Sequence, residues 1–570
     1  MLGVVYRAKN LSSPDGRAAP HMNTAALATA LDDWEQVLGA AHVLRDTDLL
    51  HAASTATFAT ASRVTAIVRP ANREEVQESL RIANRHRIPI YPISSGKNWG
   101  YGSRVPVEDG VLLDLGRLNR ILDFDEDLAY VTLEPGVTQG QLYEFLRERG
   151  SRLWMDATGA SPDCSIIGNT MERGFGHTPM GDHCNNVCAF EVVLPTGECV
   201  QTGFGRFAEA KAGALGRWGL GPSLDGLFSQ SNLGIVTRLS VWLMPEPESF
   251  EAFFFVRDDE AGLGPIIDAL RPLRLNGTLP SVVHIGNDYK ILTGTGQFPW
   301  AETHGKTPLG PEVMKRLRKQ LHVGAWSGSG GLYGTRAHVK DAKTQLRRAL
   351  RGKVDRLQFV DDRLLRVMTR FATPFRLVTR WDVSKTLKVL EPVYGLLKGI
   401  PTDAPLASAY WRKKTPVPKQ MDPDRDGCGL LWCSPVFPNT GDHAMAVAQL
   451  ATTVLLKHGF EPQMSISLET ERSAICVTTI SYDREAAGED ERAHECYRAL
   501  TEQLLERGYP PYRLNVSAME YSDTDSSYAD AVRSIKAVLD PNGILAPGRY
   551  QPAASSDPAA PAPNSVTLVR

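Results

Sequence analysis

Residues 88–103 read IPIYPISSGKNWGYGS, a short apolar run followed by a loop punctuated by three glycines. Glycine lets a backbone approach a ligand closely, and the hydroxyl and amide side chains between the glycines add hydrogen-bond donors, which together suit a pyrophosphate. The spacing fits neither the G-x-G-x-x-G of NAD-binding sheets nor the G-x-x-x-x-G-K-[ST] of NTP-binding loops. An ordinary Gly/Ser turn is the alternative. The loop predicts a nucleotide-cofactor site made by Ile93, Ser94, Ser95, Gly96, Lys97, Asn98, Trp99, Gly100 and Tyr101.

Size and charge exclude several classes of function. A chain of 570 residues is too long for one core and predicts about two domains. Its 63 Lys and Arg against 65 Asp and Glu give no support for a nucleic-acid surface or an acidic-membrane patch. Residues 1–20 contain no apolar signal core, and no run of 18 apolar residues occurs, so we expect a cytoplasmic protein with small-molecule partners or one specific protein partner.

The eight cysteines are dispersed, which indicates reduced thiols rather than a disulfide framework. His183, Cys184 and Cys188 lie close together in sequence, which raises the alternative of a metal site. No second pair with zinc-ligand spacing accompanies them. We therefore predict no metal.

Five further blocks follow the loop in order. They are EPGVT at 134–138, GNTMERGFGHTP at 168–179, EVVL at 191–194, DGLFSQSNLGIVT at 225–237 and DPNGILAPG at 540–548. With GKNWGYG at 96–102, these blocks resemble the vanillyl-alcohol oxidase / 4-cresol dehydrogenase family of FAD enzymes over most of the chain. The resemblance implies further FAD contacts at Gly168, Asn169, Arg173, Gly174, Gly176, His177, Ile235 and Arg549.

The pattern of elements predicts an α+β fold. Helical periodicity occurs near residues 24–44 and 73–86, and short β-rich runs at 66–68, 111–113 and 130–133 alternate with it. The resemblance implies two domains, with a split FAD-binding domain of the p-cresol methylhydroxylase type. We place an N-terminal helical extension at 1–49, the FAD-binding domain at 50–247, an α+β cap at 248–505, a segment returning to the FAD domain at 506–550, and a disordered tail at 551–570.

The resemblance implies oxidation of a para-alkylphenol at its benzylic carbon. This reaction requires an ionised phenol, because the phenolate pushes electrons toward the departing hydride. A guanidinium with phenolic donors stabilises such an anion. Tyr512 and Arg513 match the family's G-[YW]-x-x-Y-R motif, and Tyr101 matches its other phenolate-binding tyrosine. The family also has an acid near the flavin, in a loop before the G-N-[AT] block. Asp163 is the candidate, and Asp156 is expected to be structural. The alternative for Asp163 is a turn residue before Cys164.

Covalent attachment of FAD is common among relatives, and this chain departs from the family's pattern of linking residues. The position of the linking histidine is Leu430, which excludes a histidyl bond. In tyrosine-linked relatives the tyrosine precedes Trp-Arg by two positions, and here that position is Ala409, with Tyr410 one residue closer. Noncovalent FAD is favoured and a tyrosyl link at Tyr410 stays open. The family's pocket Met-His-His is also lost at 472–474, so we expect a reshaped cavity, with Trp326, Tyr333 and Trp432 as candidates for its wall.

The resemblance thus implies FAD-dependent oxidation of para-substituted phenols through a quinone methide, followed by hydroxylation or desaturation. A cytochrome or dioxygen would then reoxidise the reduced flavin. Relatives also suggest a homodimer. Two alternatives remain: an FAD-linked 2-hydroxy-acid dehydrogenase, and a flavin-binding subunit without oxidative turnover.

Overall fold

The computed structural model describes residues 23–321, 323–370, 383–522 and 526–552. Its helices are α1 (Thr24–Leu38), α2 (Thr47–Ala53), α3 (Arg73–His86), α4 (Gln139–Glu148), α5 (Ile166–Met171), α6 (Leu263–Leu275), α7 (Asp288–Thr293), α8 (Pro311–Leu321), α9 (Arg336–Leu350), α10 (Asp362–Arg370), α11 (Val383–Leu396), α12 (Gly441–Lys457), α13 (Glu489–Glu506) and α14 (Ser526–Leu539). None of these described helices is both long and apolar enough to cross a lipid bilayer.

The strands are β1 (Val43–Leu44), β2 (Val64–Val68), β3 (Ile90–Ile93), β4 (Gly110–Asp114), β5 (Ile121–Asp125), β6 (Tyr130–Leu133), β7 (Leu153–Trp154), β8 (Val187–Val193), β9 (Cys199–Gln201), β10 (Ile235–Trp242), β11 (Met244–Pro245), β12 (Ser249–Arg257), β13 (Val283–Asn287), β14 (Trp326–Gly334), β15 (Arg356–Val360), β16 (Cys428–Cys433), β17 (Val436–Pro438), β18 (Gln463–Leu468) and β19 (Ser473–Asp483). The predicted α+β fold class is therefore confirmed.

Two small sheets form the N-terminal half. The first has the order β1-β2-β4-β3, with β2, β4 and β3 parallel, and the second is antiparallel in the order β5-β6-β10-β8-β9. The predicted helix at 73–86 is confirmed as α3, which begins after the N-cap Asn72 and has acidic residues in its first turn and basic residues in its last, as the helix dipole favours.

The predicted N-terminal helix is shorter than its periodicity suggested. α1 ends at Leu38 because Gly39 follows with a positive φ, and a 3-10 turn and β1 occupy the rest of the predicted range. Trp34 of α1 is fully buried and donates a hydrogen bond from Nε1 to the Ser79 carbonyl of α3. The described part of the predicted extension thus packs into the core of the first sheet.

A large antiparallel sheet occupies the second half, in the order β15-β12-β14-β13-β18-β19-β16, with β17 also paired to β19. Its strands lie within 249–483. Side chains on one face, such as Phe253, Ile285 and Ile466, are buried under α6, α9, α12 and α13. The opposite face carries Trp432 and Val477 and covers the cavity described below.

The C-terminal segment returns to the first sheet. Ile90 of β3 donates a backbone hydrogen bond to Ile544, and Ala546 donates one back to Ile90. Lys536 of α14 is buried and donates to the carbonyls of Asn232 and Leu545. Residues 553–570, most of the predicted tail, lie outside the described residues.

Candidate functional site: a cofactor cavity

One cavity of about 370 Å³ lies between the two small sheets, α5, residues 512–516 and the open face of the large sheet. Most of the predicted site residues line it: Ile93, Ser94, Ser95, Gly96, Lys97, Asn98, Trp99, Tyr101, Gly168, Asn169, Gly174, His177, Ile235, Tyr512, Arg513 and Arg549. The tertiary structure thus brings together segments that are more than 400 residues apart in sequence.

The loop after β3 has the donor set that a pyrophosphate needs. The backbone N–H groups of residues 96–99 donate to no acceptor among the described residues. Arg104, which the sequence analysis missed, also lines the cavity without an acceptor in the described chain, and its guanidinium lies against Gly96. Unpaired N–H groups beside a free guanidinium form an anion-binding concavity, so these residues fit the diphosphate of FAD.

Two glycines of this loop leave the space that side chains from neighbouring segments occupy. Gly102 has a φ of +121°, and a Cβ there would lie 2.5 Å from Val516. A Cβ at Gly100 would lie 2.9 Å from the Trp432 ring. Any larger residue at these positions would push the large sheet and the 512–516 segment away from the loop. Gly100 does not itself line the cavity, so its predicted cofactor contact becomes a packing contact with Trp432.

Tyr101, Tyr512 and Arg513, which the sequence analysis assigned to one site, lie together in the cavity. The Arg513 guanidinium carbon lies 4.3 Å from the centre of the Tyr101 ring, and Tyr101 shares a 2.9 Å hydrogen bond with the Ser434 hydroxyl. Burial raises the pKa of Tyr101 well above its usual value and also raises the pKa of Tyr512. Both phenols therefore stay protonated and can donate to an oxyanion.

A half-buried carboxylate that the sequence analysis gave no role, Glu172, holds this cluster. Arg513 donates to Glu172 at 3.1 Å and to the Asn98 side chain at 2.5 Å, and Arg549 donates to the other Glu172 oxygen. Burial raises the pKa of Glu172, but Arg549 and Arg513 lower it more, so it is ionised. Two guanidinium charges against one carboxylate leave a net positive charge beside two phenolic donors.

Known proteins share this architecture. The family model described as an FAD binding domain matches residues 64–203. The chain is 46% identical over 532 residues to a 1'-carboxy-chondrochloren decarboxylase from Chondromyces crocatus, covering 93% of this chain and 98% of that protein. It is 33% identical over 484 residues to the 4-cresol dehydrogenase [hydroxylating] flavoprotein subunit of Pseudomonas putida, covering 84% and 85%. The chain belongs to the vanillyl-alcohol oxidase / 4-cresol dehydrogenase family.

A solved structure agrees with this assignment. The crystal structure of p-cresol methylhydroxylase with substrate bound superposes with a TM-score of 0.83 at 30% identity, covering 93% of this chain and 98% of that one. The predicted family and its p-cresol methylhydroxylase-type FAD-binding domain are confirmed. This protein is an FAD-dependent oxidoreductase.

Asp163 does not reach the cavity of this family member. Its side chain is exposed, and the part of its loop that lines the cavity is Thr158, Gly159 and Ala160. The loop is fixed by Gln139, whose side-chain amide donates to the carbonyls of Ser161 and Thr158. This anchoring turns residues 158–160 inward and Asp163 outward, so the structure gives Asp163 the position of a turn residue.

Asp156 and His183 form a buried support instead of a metal site. Asp156 accepts hydrogen bonds from the backbone N–H groups of His177 and Thr178, at 3.1 and 2.6 Å, and contacts His183 Nε2 at 2.7 Å. His183 Nδ1 lies 2.6 Å from the Asn169 side chain. The Cys184 thiol contacts the Thr170 carbonyl rather than His183. Within the described residues, no cluster of three His, Cys, Asp or Glu could hold a metal.

Three other predicted contacts lie outside the cavity lining. Arg173 is exposed and donates to Ser229, and Gly176 is buried where a Cβ would collide with Asp156. Tyr410 is buried and donates to Asp426 at 2.5 Å. The first two contacts stabilise the turn after α5.

Only one of the three predicted wall aromatics reaches the cavity. Trp432 lines it, whereas Trp326 and Tyr333 are buried in other cores and bonded to the carbonyls of Glu260 and Leu397. The alternation of side chains along a strand shows which residues share a face, but it does not show which face of the large sheet the helices cover. The sequence could therefore not distinguish Trp432 from the other two aromatics.

Proposed function

We propose that this flavoprotein oxidises a para-substituted phenol at its benzylic carbon. The observation that carries the proposal is the cluster of Tyr101, Tyr512 and Arg513. Glu172 balances one of the two charges of Arg513 and Arg549, so the cluster keeps a net positive charge. A buried cationic site with two phenolic donors favours a bound phenolate over a neutral phenol. Arg513 stays charged because the attraction of Glu172 outweighs its burial and raises its pKa.

Bound FAD supplies the hydride acceptor for this reaction. Residues 94–99, Arg104 and Gly168 would hold the cofactor, and the phenolate cluster fixes the substrate oxygen at one end of the cavity. The electrons of the phenolate oxygen replace the pair that leaves with the benzylic hydride, so the oxidised substrate is a para-quinone methide. The described residues exclude bulk water from this end by burying Tyr101 and Arg513.

We further propose that the quinone methide is resolved by loss of CO₂ from the carbon next to the benzylic carbon. The carboxylate C–C bond breaks, its electron pair forms the new C=C bond, and the ring regains its phenolate, giving a 4-hydroxystyryl product. Glu172 is the only carboxylate among the described residues that line the cavity, and two arginines engage it, so none of these residues offers a free carboxylate to assist water addition or proton loss. The name of the Chondromyces crocatus relative, a decarboxylase of a carboxy compound, supports this outcome.

An anaerobic titration tests both steps. The yellow holoprotein is mixed with 3-(4-hydroxyphenyl)propanoate, its amide, 4-ethylphenol and the methyl ether of the first compound. We expect the free phenols to bleach the flavin and the methyl ether to leave it oxidised, with one CO₂ released per flavin reduced from the acid alone. Bleaching by the ether as fast as by the phenol contradicts phenolate chemistry, and bleaching by the acid without CO₂ contradicts decarboxylation.

Admitting air and then a one-electron acceptor identifies the oxidant of the reduced enzyme. Recovery of the yellow colour in air within seconds indicates an oxidase, and recovery only with ferricyanide or a cytochrome indicates a dehydrogenase. A flavin-binding subunit without turnover would not bleach with any phenol. Bleaching by D-lactate rather than by phenols would favour the 2-hydroxy-acid dehydrogenase.

A further inference from the structure

Two half-buried histidines, His177 and His284, lie side by side where the large sheet covers the turn after α5. Their ring centres are 4.3 Å apart. His177 lines the cavity, and His284 is on the open face of β13, opposite Ser467 of β18. The family's pocket histidines are absent from residues 473–474 of this chain, and His177 places an imidazole in the cavity from another element.

Hydrogen bonds fix the tautomer of each ring. His177 Nδ1 lies 3.1 Å from the Ala157 carbonyl, which can only accept, so Nδ1 carries the proton and Nε2 has a lone pair. His284 Nε2 lies 3.3 Å from the Gly176 carbonyl, and its Nδ1 lies 2.9 Å from the Ser467 hydroxyl. Both nitrogens of His284 are engaged, whereas His177 Nε2 has no partner among the described residues.

Phe175 lies between this pair and Tyr512 of the phenolate cluster. A row of ring contacts joins them, from Tyr512 to Phe175 at 5.9 Å, from Phe175 to His284 at 6.2 Å, and from His284 to His177 at 4.3 Å. A substrate whose oxygen lies at Tyr512 and whose para substituent follows this row of rings points toward His177. Gly159 and Ala160 also line the cavity, and Gly159 lies beside the His177 ring.

His177 is the group that can supply positive charge at this end. The other cations that line the described cavity are placed elsewhere: Arg513 and Arg549 at Glu172, Lys97 at Asp422, and Arg104 against Gly96. Three titratable groups surround His177. Burial lowers the pKa of His177, Asp156 opposes that shift and His183 adds to it, while burial and then His177 lower the pKa of His284.

We propose that His177 is the specificity-determining residue that recognises the substrate's carboxylate, and that it takes up a proton as the carboxylate binds. A carboxylate brought near Nε2 favours the imidazolium, because opposite charges in a buried site stabilise each other. The negative charge of Asp156 supports the same change, and His284 stays neutral because burial and the neighbouring His177 lower its pKa. This inference rests on the proposed function, whose substrate carries that carboxylate.

Isothermal titration with unreactive ligands tests the proposal. 4-Hydroxycinnamate carries the phenol and the carboxylate but has no sp³ benzylic C–H, and 4-hydroxycinnamamide is its neutral match. Titrations in two buffers of different ionisation enthalpy give the protons taken up by each complex. Subtracting the amide from the acid removes any proton that the phenol itself releases.

We expect the wild-type holoprotein to take up close to one more proton with the acid than with the amide near pH 8, and to bind the acid at least tenfold more tightly. His177→Gln and His177→Phe should abolish the extra proton and reduce the preference at least tenfold, with amide affinity within threefold of wild type. His338→Gln, an exposed histidine on α9, is the control. FAD absorbance confirms that each variant is folded.

Retention of the preference and the extra proton in both variants would overturn the assignment, as would an equal loss of acid and amide binding or no extra proton in the wild type. Failure of the proposed function is a separate result, because it shows as wild-type flavin that no phenol bleaches. Normal bleaching by phenolic acids with an unchanged preference in His177→Gln removes only the present inference.

Discussion

Replacing Arg513 with alanine should slow flavin reduction by about 10²–10³. The substitution removes one of two guanidinium charges, so Arg549 and Glu172 alone remain and the net positive charge of the cluster falls to zero. Keeping a phenol of pKa about 10 ionised at pH 7 takes roughly three pKa units, or about 4 kcal/mol. Losing the charged donor nearest Tyr101 removes most of that stabilisation.

Anaerobic stopped-flow reduction by 3-(4-hydroxyphenyl)propanoate at saturating concentration measures the effect. In Arg513→Ala the rate should climb toward the wild-type value as the pH approaches 10, since the phenol then ionises in solution. An ortho-chlorinated phenol, which ionises at lower pH, should lose less rate than its parent. Tyr512→Phe is the matched control and should lose less rate, because it removes one donor and no charge.

FAD content must be measured in each variant, because Arg513 also donates to Asn98 of the cofactor loop. A reduction rate within threefold of wild type at pH 7, with FAD bound, would refute phenolate stabilisation by Arg513. A rate that falls equally at every pH would show that Arg513 positions the substrate without controlling its ionisation.

Three further outcomes are expected. Asp163→Asn should leave the reduction rate within a few-fold of wild type because its side chain is exposed; a 10²-fold loss would return it to the mechanism. Acid precipitation should release FAD, and Tyr410→Phe should bind it equally well, since Tyr410 donates to Asp426; fluorescence retained by the denatured chain would contradict this. Burial raises the pKa of Glu469 to about 7, so the folded state holds a proton that the unfolded state loses above pH 4.5. Stability should then fall as pH rises from about 5 to 7, and Glu469→Gln should raise unfolding free energy at pH 8 by about 1–3 kcal/mol; equal urea midpoints at pH 8 would contradict this.

The segments that line the cavity could be predicted because their motifs are local. Glycine spacing, the Tyr-Arg pair and their neighbours are properties of short segments, and each segment keeps the conformation that its residues favour. Glu172 stood inside a matched block but gave no local signal. Its role depends on Arg513 and Arg549, which approach it from 341 and 377 residues away.

Side-chain direction in loops was the part that the sequence analysis could not settle. Asp163 and the residues at 158–160 belong to one loop, and the family resemblance favoured the carboxylate. The amide of Gln139, on another element, decides which of them faces the cavity. The same limit applies to Trp432 and Trp326, whose positions depend on which face of the large sheet the helices cover.

The sequence by itself determined the family, the FAD cofactor, the α+β fold and the segments that meet at the cavity, because these follow from motifs and periodicities within short stretches. Only the tertiary structure decided that Glu172 neutralises part of the cationic cluster, that Asp163 faces solvent, and that His177 meets His284 with a free Nε2. The physical reason is that charge balance, burial and hydrogen-bond partners arise from contacts between distant segments, and short-range sequence patterns do not encode these contacts.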